Sequence, residues 1–141
     1  MTLPKSKYDK DNYKAAYWAG IMDGEGSISI FKHKQNNNYN TFYSNITICN
    51  TYKNLCLEAK KFFRTGNIIS SKNYGLGKKK VFFYVASNNQ AEKILKIVYP
   101  WLIIKKSRAK IVLKFQTFLK KNIENVILKE DILNYQILNS L

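Results

Sequence analysis

Apolar residues recur along the chain with two different periods, and the switches between them mark out the elements. From Ser27 to Lys34 the sequence alternates, with Ile28 and Ile30 on one face and Ser27, Ser29 and Phe31 on the other. Phe42 to Asn50 alternates again, with Ile46 and Ile48 inward and Asn45, Thr47 and Cys49 outward. Between them Gln35 to Asn40, with four asparagines among its six residues, reads as a turn. The two runs therefore predict a hairpin with one buried and one polar face. Upstream, Asp11 or Asn12 caps a helix reaching to about Asp23. Downstream, Thr51 caps a helix over Tyr52 to Phe63, with Leu55, Ala59, Phe62 and Phe63 as its apolar stripe. Gly66 ends that region. Asn67 to Asn73 and Lys79 to Ala86 then predict a second hairpin around Tyr74-Gly75-Leu76-Gly77. Ser87-x-x-Gln90 is a capping-box pattern before a helix from Gln90 to Tyr99, which Pro100 terminates. Two further helices follow, about Ser107 to Lys121 and Ile123 to Asn139, and are expected to cover the backs of the strands. The order is α-β-β-α-β-β-α with additional C-terminal helices, an α+β class. Residues 1–10 read as a flexible tail. No Pro/Gly/Ser-rich linker interrupts residues 11–141, so they read as one domain.

One stretch does not fit a purely structural account. Ala16, Gly20 and Gly24 recur every four residues, so a helix places all three on one face. That face carries almost no side chain, and another helix can approach it closely; such seams are best known in membranes, but the steric argument is general. Asp23 and Glu25 then sit among Gly24 and Gly26 where the pattern turns from helix to strand. Taken alone, the two acids also fit ordinary turn residues at a glycine-rich helix stop.

Charge narrows the choice of partner. Against 9 Asp+Glu the 141 residues carry 24 Lys+Arg, a formal charge of +15, accompanied by ten tyrosines and eight phenylalanines. This balance points to a polyanion, as in nucleic-acid-binding, ribosomal or membrane-surface proteins, and says nothing about fold. Cys49 and Cys56 are too few for a disulfide framework and lack C-x-x-C spacing, so reduced thiols in an intracellular protein are expected. No run of eighteen apolar residues exists and Met1 to Lys10 has no apolar signal core, so no membrane partner is expected. The Lys/Asn/Ile bias fits an AT-rich genome such as an organelle's. Several chemistries lack their parts. His33 is the single histidine, which removes His-dependent nuclease schemes; Glu58-Ala59-Lys60 falls in a predicted helix rather than a strand; and no zinc spacing, phosphate-binding G-x-x-x-x-G-K or nucleophile elbow is present.

Trp18 to Gly26 reads W-A-G-I-M-D-G-E-G. It resembles the signature of the LAGLIDADG homing endonucleases, with Trp18 in place of the usual leucine and Gly24 at the small position between the acids. The resemblance extends over roughly residues 12 to 119, and the α-β-β-α-β-β-α order matches the family's fold, with its antiparallel saddle-shaped sheet. It implies that the motif helix ends at DNA, that the second acid, Glu25, binds a catalytic divalent metal (Mg²⁺ or Mn²⁺), and that a chain with one motif works as a homodimer. The helix face of Ala16, Gly20 and Gly24 would then form the dimer seam. Asp23 is expected to stabilise the helix end instead. The segment from Pro100 to Lys114 resembles the family's stretch after its third helix, where a lysine near the active site helps polarise the phosphate or its attacking water; Lys105 matches best, with Lys106 the close alternative. Asn50 matches a position where the family often has a polar residue near that water. A solvated lysine pair and a strand-ending asparagine are the plain alternatives for these positions.

The chemistry agrees with that assignment. Phosphodiester hydrolysis needs a metal held by hard ligands such as carboxylates. Glu25 from each of two chains would serve adjacent phosphates on the two strands. A strand of about 8 residues at ~3.3 Å each spans roughly 26 Å, close to the length of about 8 base pairs at 3.4 Å each, and β-ribbons fit the major groove. Ser27, Ser29, Lys32, Lys34, Asn45, Thr47, Ser70, Lys72, Lys80, Phe82 and Tyr84 are the candidate DNA contacts. The expected function is a homodimeric, site-specific double-strand DNA endonuclease acting at a long pseudo-palindromic site. An RNA-binding maturase that assists intron splicing and a non-cutting DNA-binding regulator are the alternatives, and an acid retained at Glu25 argues against the last.

Overall fold

The computed structural model describes residues 10–34, 40–71 and 79–121. Helix α1 (Lys10–Glu25) leads into β1 (Gly26–Lys34) and β2 (Asn40–Asn50), then α2 (Lys53–Phe63), β3 (Asn67–Ser71), β4 (Val81–Ser87), α3 (Asn89–Val98), a 3-10 turn at Tyr99–Trp101, and α4 (Lys106–Lys121). The four strands form one antiparallel sheet in the order β1-β2-β4-β3. Its central pair, β2 and β4, joins the two hairpins: Ile46 lies opposite Ala86 and Ile48 opposite Tyr84.

One face of the sheet is covered by helices. Ile28, Ile30, Ile46, Ile48, Tyr84 and Ala86 point into the core, as the alternation of β1 and β2 predicts. From α1, Ala15, Trp18, Ala19 and Met22 are buried at i, i+3, i+4 and i+7. Trp18 packs between the rings of Phe62 (6.4 Å) and Phe63 (5.9 Å) of α2, so the residue in leucine's place in the motif serves as a core anchor. Ala109, Val112 and Phe115 of α4 complete the core, and Gln116 is buried with them, accepting a hydrogen bond from Ser44 Oγ at 2.7 Å.

Three helix starts differ from expectation. Asp11 and Asn12 lie inside the first turn of α1 rather than at its cap. At α2 the side chain that serves the helix start is Asn50, not Thr51: Asn50 Oδ1 accepts from the Tyr52 N–H at 2.8 Å. The expected capping box is absent too. Ser87 is the last residue of β4, and Asn88 (φ 51°) makes the turn into α3, its N–H donating to the Ser44 carbonyl while its Oδ1 accepts from the Ser44 N–H. The last strand starts at Val81, two residues later than predicted, and ends at Ser87; residues 72–78, with the predicted end of β3 and its turn, lie outside the described residues. Gly66 (φ +91°) is required where it stands, because a Cβ there would lie 2.6 Å from the Tyr84 ring. The expected tail, the turn 35–39, Lys72 and the helix 123–139 lie outside the described residues.

Candidate active site and sheet surface

Helix α1 does not stop at Gly24, as its glycines suggest, but runs through to Glu25, and β1 starts at once. Gly26 makes this possible: a Cβ there would lie 2.6 Å from Met22 Sδ and 2.7 Å from the Met22 carbonyl oxygen. The last turn of α1 therefore holds two carboxylates and no basic residue. A helix C-terminus carries partial negative charge, so both acids are unfavourably placed unless something compensates them.

Asp23 is compensated by its own chain. Its Oδ2 accepts from the Ile103 N–H at 2.8 Å and its Oδ1 from the Lys105 N–H at 2.9 Å, while Lys105 Nζ donates to the Asp23 carbonyl at 2.6 Å. Burial pushes the Asp23 carboxyl up, but the N–H groups of Ile103, Lys105 and Ile104 and the Lys105 charge outweigh it and hold the group below its ordinary value. Asp23 is thus a loop anchor, and through it Lys105 is fixed at the end of α1. Lys106 turns away, its ammonium 5.2 Å from the centre of the Tyr99 ring. Of the two lysines the sequence leaves open, Lys105 is the one at the motif.

Glu25 is treated differently. Its Oε2 accepts from Asn50 Nδ2 at 2.7 Å, and Asn50 is in turn oriented by the Tyr52 N–H. Its side chain is otherwise exposed, and among the described residues no lysine or arginine pairs with it. Glu25 and Asn50, predicted separately, are therefore in direct contact. An exposed carboxylate at a negative helix end, oriented by a neutral amide, suits a hard divalent cation. One chain supplies only half of such a site: among the described residues no group of three His, Cys, Asp or Glu could hold a metal.

The predicted seam faces away from the core. A Cβ at Gly20 or at Gly24 would meet nothing within 4 Å, and the exposed rings of Tyr13 and Tyr17 lie on the same side of α1. Packing among the described residues needs neither glycine, although each costs a helix roughly 0.5–1 kcal/mol relative to alanine.

The face of the sheet opposite the helices is open. Ser27, Ser29, Asn45 and Thr47 lie on it, as predicted. The other candidate positions need correction. Lys32 has the parity of Ile28 and Ile30 and emerges on the helix side beyond the core, and Phe31 and His33 occupy the open face; the side chain of Lys34 lies outside what the structure describes. Tyr84 is wholly buried, its hydroxyl donating to the Thr65 carbonyl at 2.7 Å and burial raising its pKa. Phe82 and Ser70 are opposite one another on that same helix side. Lys80 precedes β4, with its ammonium 5.8 Å from the Phe82 ring centre. The residues that β4 and β3 present instead are Val81, Phe83 and Val85, and Asn67, Ile69 and Ser71. A tie without sequence signal is Arg108 of α4, whose Nη1 donates to the Ile28 carbonyl of β1 at 2.9 Å.

No family model and no curated protein matches the sequence. Solved structures do match the fold. The chain superimposes on the homing endonuclease I-CvuI, solved with a DNA target in the presence of Mg, with a TM-score of 0.80 and 20% identity over 92% of this chain and 82% of that one. The archaeal intron-encoded homing endonuclease I-Vdi141I, complexed with DNA, gives 0.77 and 18% over 93% and 85%. The LAGLIDADG homing endonuclease I-GzeII, in complex with its DNA target, gives 0.68 and 20% over 89% of this chain but 42% of that one. The α+β arrangement described above, four antiparallel strands backed by helices, is the fold of the LAGLIDADG homing endonucleases.

Proposed function

We propose that the protein is a site-specific DNA endonuclease that cuts both strands of a long, pseudo-palindromic site as a homodimer, using a divalent metal. The observation that carries this reading is the Glu25–Asn50 pair at the exposed end of α1. A carboxylate that no cation among the described residues balances, in a chain with a formal charge of +15, stands beside glycines that packing among those residues does not require. Pairing two copies through Ala16, Gly20 and Gly24 brings two Glu25 side chains together and supplies the carboxylates one chain lacks. Against I-GzeII the chain spans less than half of that protein's length, which leaves room there for a second unit of this size.

Glu25 from each copy would hold the metal, Mg²⁺ or Mn²⁺, which when bound supplies polarisation of the scissile phosphate and stabilisation of the leaving oxygen. Asn50 fixes the Glu25 rotamer and offers its amide beside the position of an attacking water. Lys105, held at the Asp23 carbonyl, brings positive charge to the same helix end, where phosphate must enter. The open face of the sheet lies along the duplex, with Ser27, Ser29, Asn45 and Thr47 toward base edges and Lys32 and Lys80, at the margins of the sheet, toward the backbone. The test is cleavage of a plasmid library in Mg²⁺ by the native chain and by Glu25→Gln. One recurrent double-strand cut, lost in the variant, is the expected result; tight nucleic-acid binding with no cutting by the native chain removes the endonuclease reading.

A further inference from the structure

The open face of the sheet carries almost no charge. Among the described residues it presents no lysine or arginine, and its titratable groups are His33, Tyr43 and Cys49. The lysines lie at its margins or on the helix side. Half of the face, on β1 and β2, is mostly polar apart from the Phe31–Tyr43 ring pair. The other half is apolar: Cys49, Phe83 and Ile69 form a row across β2, β4 and β3, with Val85 and Val81 beside it. Ile69 keeps 56% of its surface exposed, which the protein's own folding does not explain. The row begins at Cys49, the residue before Asn50 in β2, although the two side chains leave opposite faces of the strand.

We propose that this row reads the C5-methyl groups of thymine in the major groove. The inference rests on the endonuclease reading for its partner, a DNA duplex, and adds which bases are chosen and by which residues. A duplex offers one apolar group in its major groove, the thymine methyl, and aliphatic or aromatic side chains recognise it. The excess of positive charge around a neutral face selects a polyanion over an apolar protein partner. RNA lacks the methyl and hides its major groove. Ile69 and Phe83 are thus specificity-determining residues, and each binding half-site carries T·A pairs where β3 and β4 lie.

The test uses full-length Glu25→Gln, which binds without cutting, to select duplexes from a randomised library. The recovered duplex is then made with thymine and with deoxyuridine in place of every thymine. Each methyl buried against apolar surface contributes about fourfold in affinity, so two or more lost methyls weaken binding about tenfold or more. Ile69→Ser, at an exposed position, should narrow the difference between the thymine and deoxyuridine duplexes by about fourfold, one methyl's contribution, while keeping the parent's melting temperature. Equal binding of both duplexes by the Glu25→Gln parent, or equally tight binding of the corresponding RNA, overturns the inference. Native-chain cutting at a site without methyl dependence defeats this inference and leaves the endonuclease reading standing; a methyl-dependent site that the native chain never cuts does the reverse.

Discussion

Two glutamates, one on α1 and one on α3, show how a strongly basic chain treats its few acids. Glu92 on α3 is 7% exposed, and its Oε1 accepts from Lys96 at 3.0 Å and from Lys120 of α4 at 2.6 Å. The Lys120 contact ties α3 to α4, while Lys96 pairs one turn along α3 itself. Glu25 has an amide from Asn50 and no amine among the described residues, in a chain where basic residues outnumber acids by 24 to 9. Leaving Glu25 without a cation therefore takes placement: an exposed helix end, no basic residue in that turn, and the nearby Lys105 drawn off to the Asp23 carbonyl. The first glutamate serves stability, and the second keeps a negative charge available.

Neutralising each glutamate separates these roles most sharply. Glu25→Gln should lower cleavage by at least about a hundredfold, the scale seen when one preorganised electrostatic group is removed from an active site. The folded chain should meanwhile gain about 0.3–1 kcal/mol, because a carboxylate at a helix C-terminus is unfavourable. Glu92→Gln should do the opposite, costing up to about 1.5–3 kcal/mol in denaturant unfolding, the range for a hydrogen bond to a charged group, because the amide oxygen that remains carries no charge to meet Lys96 and Lys120. Two variants shifted in the same direction would end the comparison.

The same contrast has a pH form. The hydrogen bond from Lys120 lowers the Glu92 pKa; burial opposes it, and Lys96 adds to the lowering. With the folded value below the ordinary 4.5, the stabilisation is complete above pH 4.5 and is lost as pH falls through the folded value. Unfolding free energy measured from neutrality downward should fall over that window in the native chain. In Glu92→Gln this part of the fall should be missing.

How much of this the sequence discloses depends on whether a strand's two faces differ in polarity. In β1 and β2 isoleucines alternate with serine, asparagine and threonine, so the inward face is legible. In β4 the run Val81-Phe-Phe-Tyr-Val-Ala86 is apolar on both faces, and parity has to come from pairing with β2. Tyrosine misleads further, since its hydroxyl reads as polar while the ring fills the core over Gly66. The Glu25–Asn50 contact joins residues 25 apart that the motif and the strand end flag separately, and only the sheet register brings them together. The Asp23 anchor spans 80 residues and carries no local pattern at all.

Asp23 sits between the two glutamates in kind: it is satisfied, but by groups that also position the site. Asp23→Ala removes both backbone contacts to the loop and leaves Lys105 its carbonyl partner alone. Cleavage should drop about tenfold through kcat, equivalent to about 1.4 kcal/mol, with specific DNA affinity nearly unchanged. A variant that cuts at the native rate would mean that Lys105 needs no such anchoring.

The smallest effect tests the same logic on glycine. Gly26 and Gly66 are explained by contacts within the chain, whereas Gly20 and Gly24 face open space. Gly26→Ala should destabilise the chain, because the new Cβ meets Met22 at 2.6 Å. Gly20→Ala should stabilise the separated chain by about 0.5–1 kcal/mol, since the methyl meets nothing and a flexible residue leaves the middle of a helix. If the face is the seam between two copies, the same methyl stands between them, and sedimentation should show a weaker dimer in the more stable chain. A chain that gains stability with its dimer intact would move the interface away from α1, and with it the pairing of the two Glu25 carboxylates.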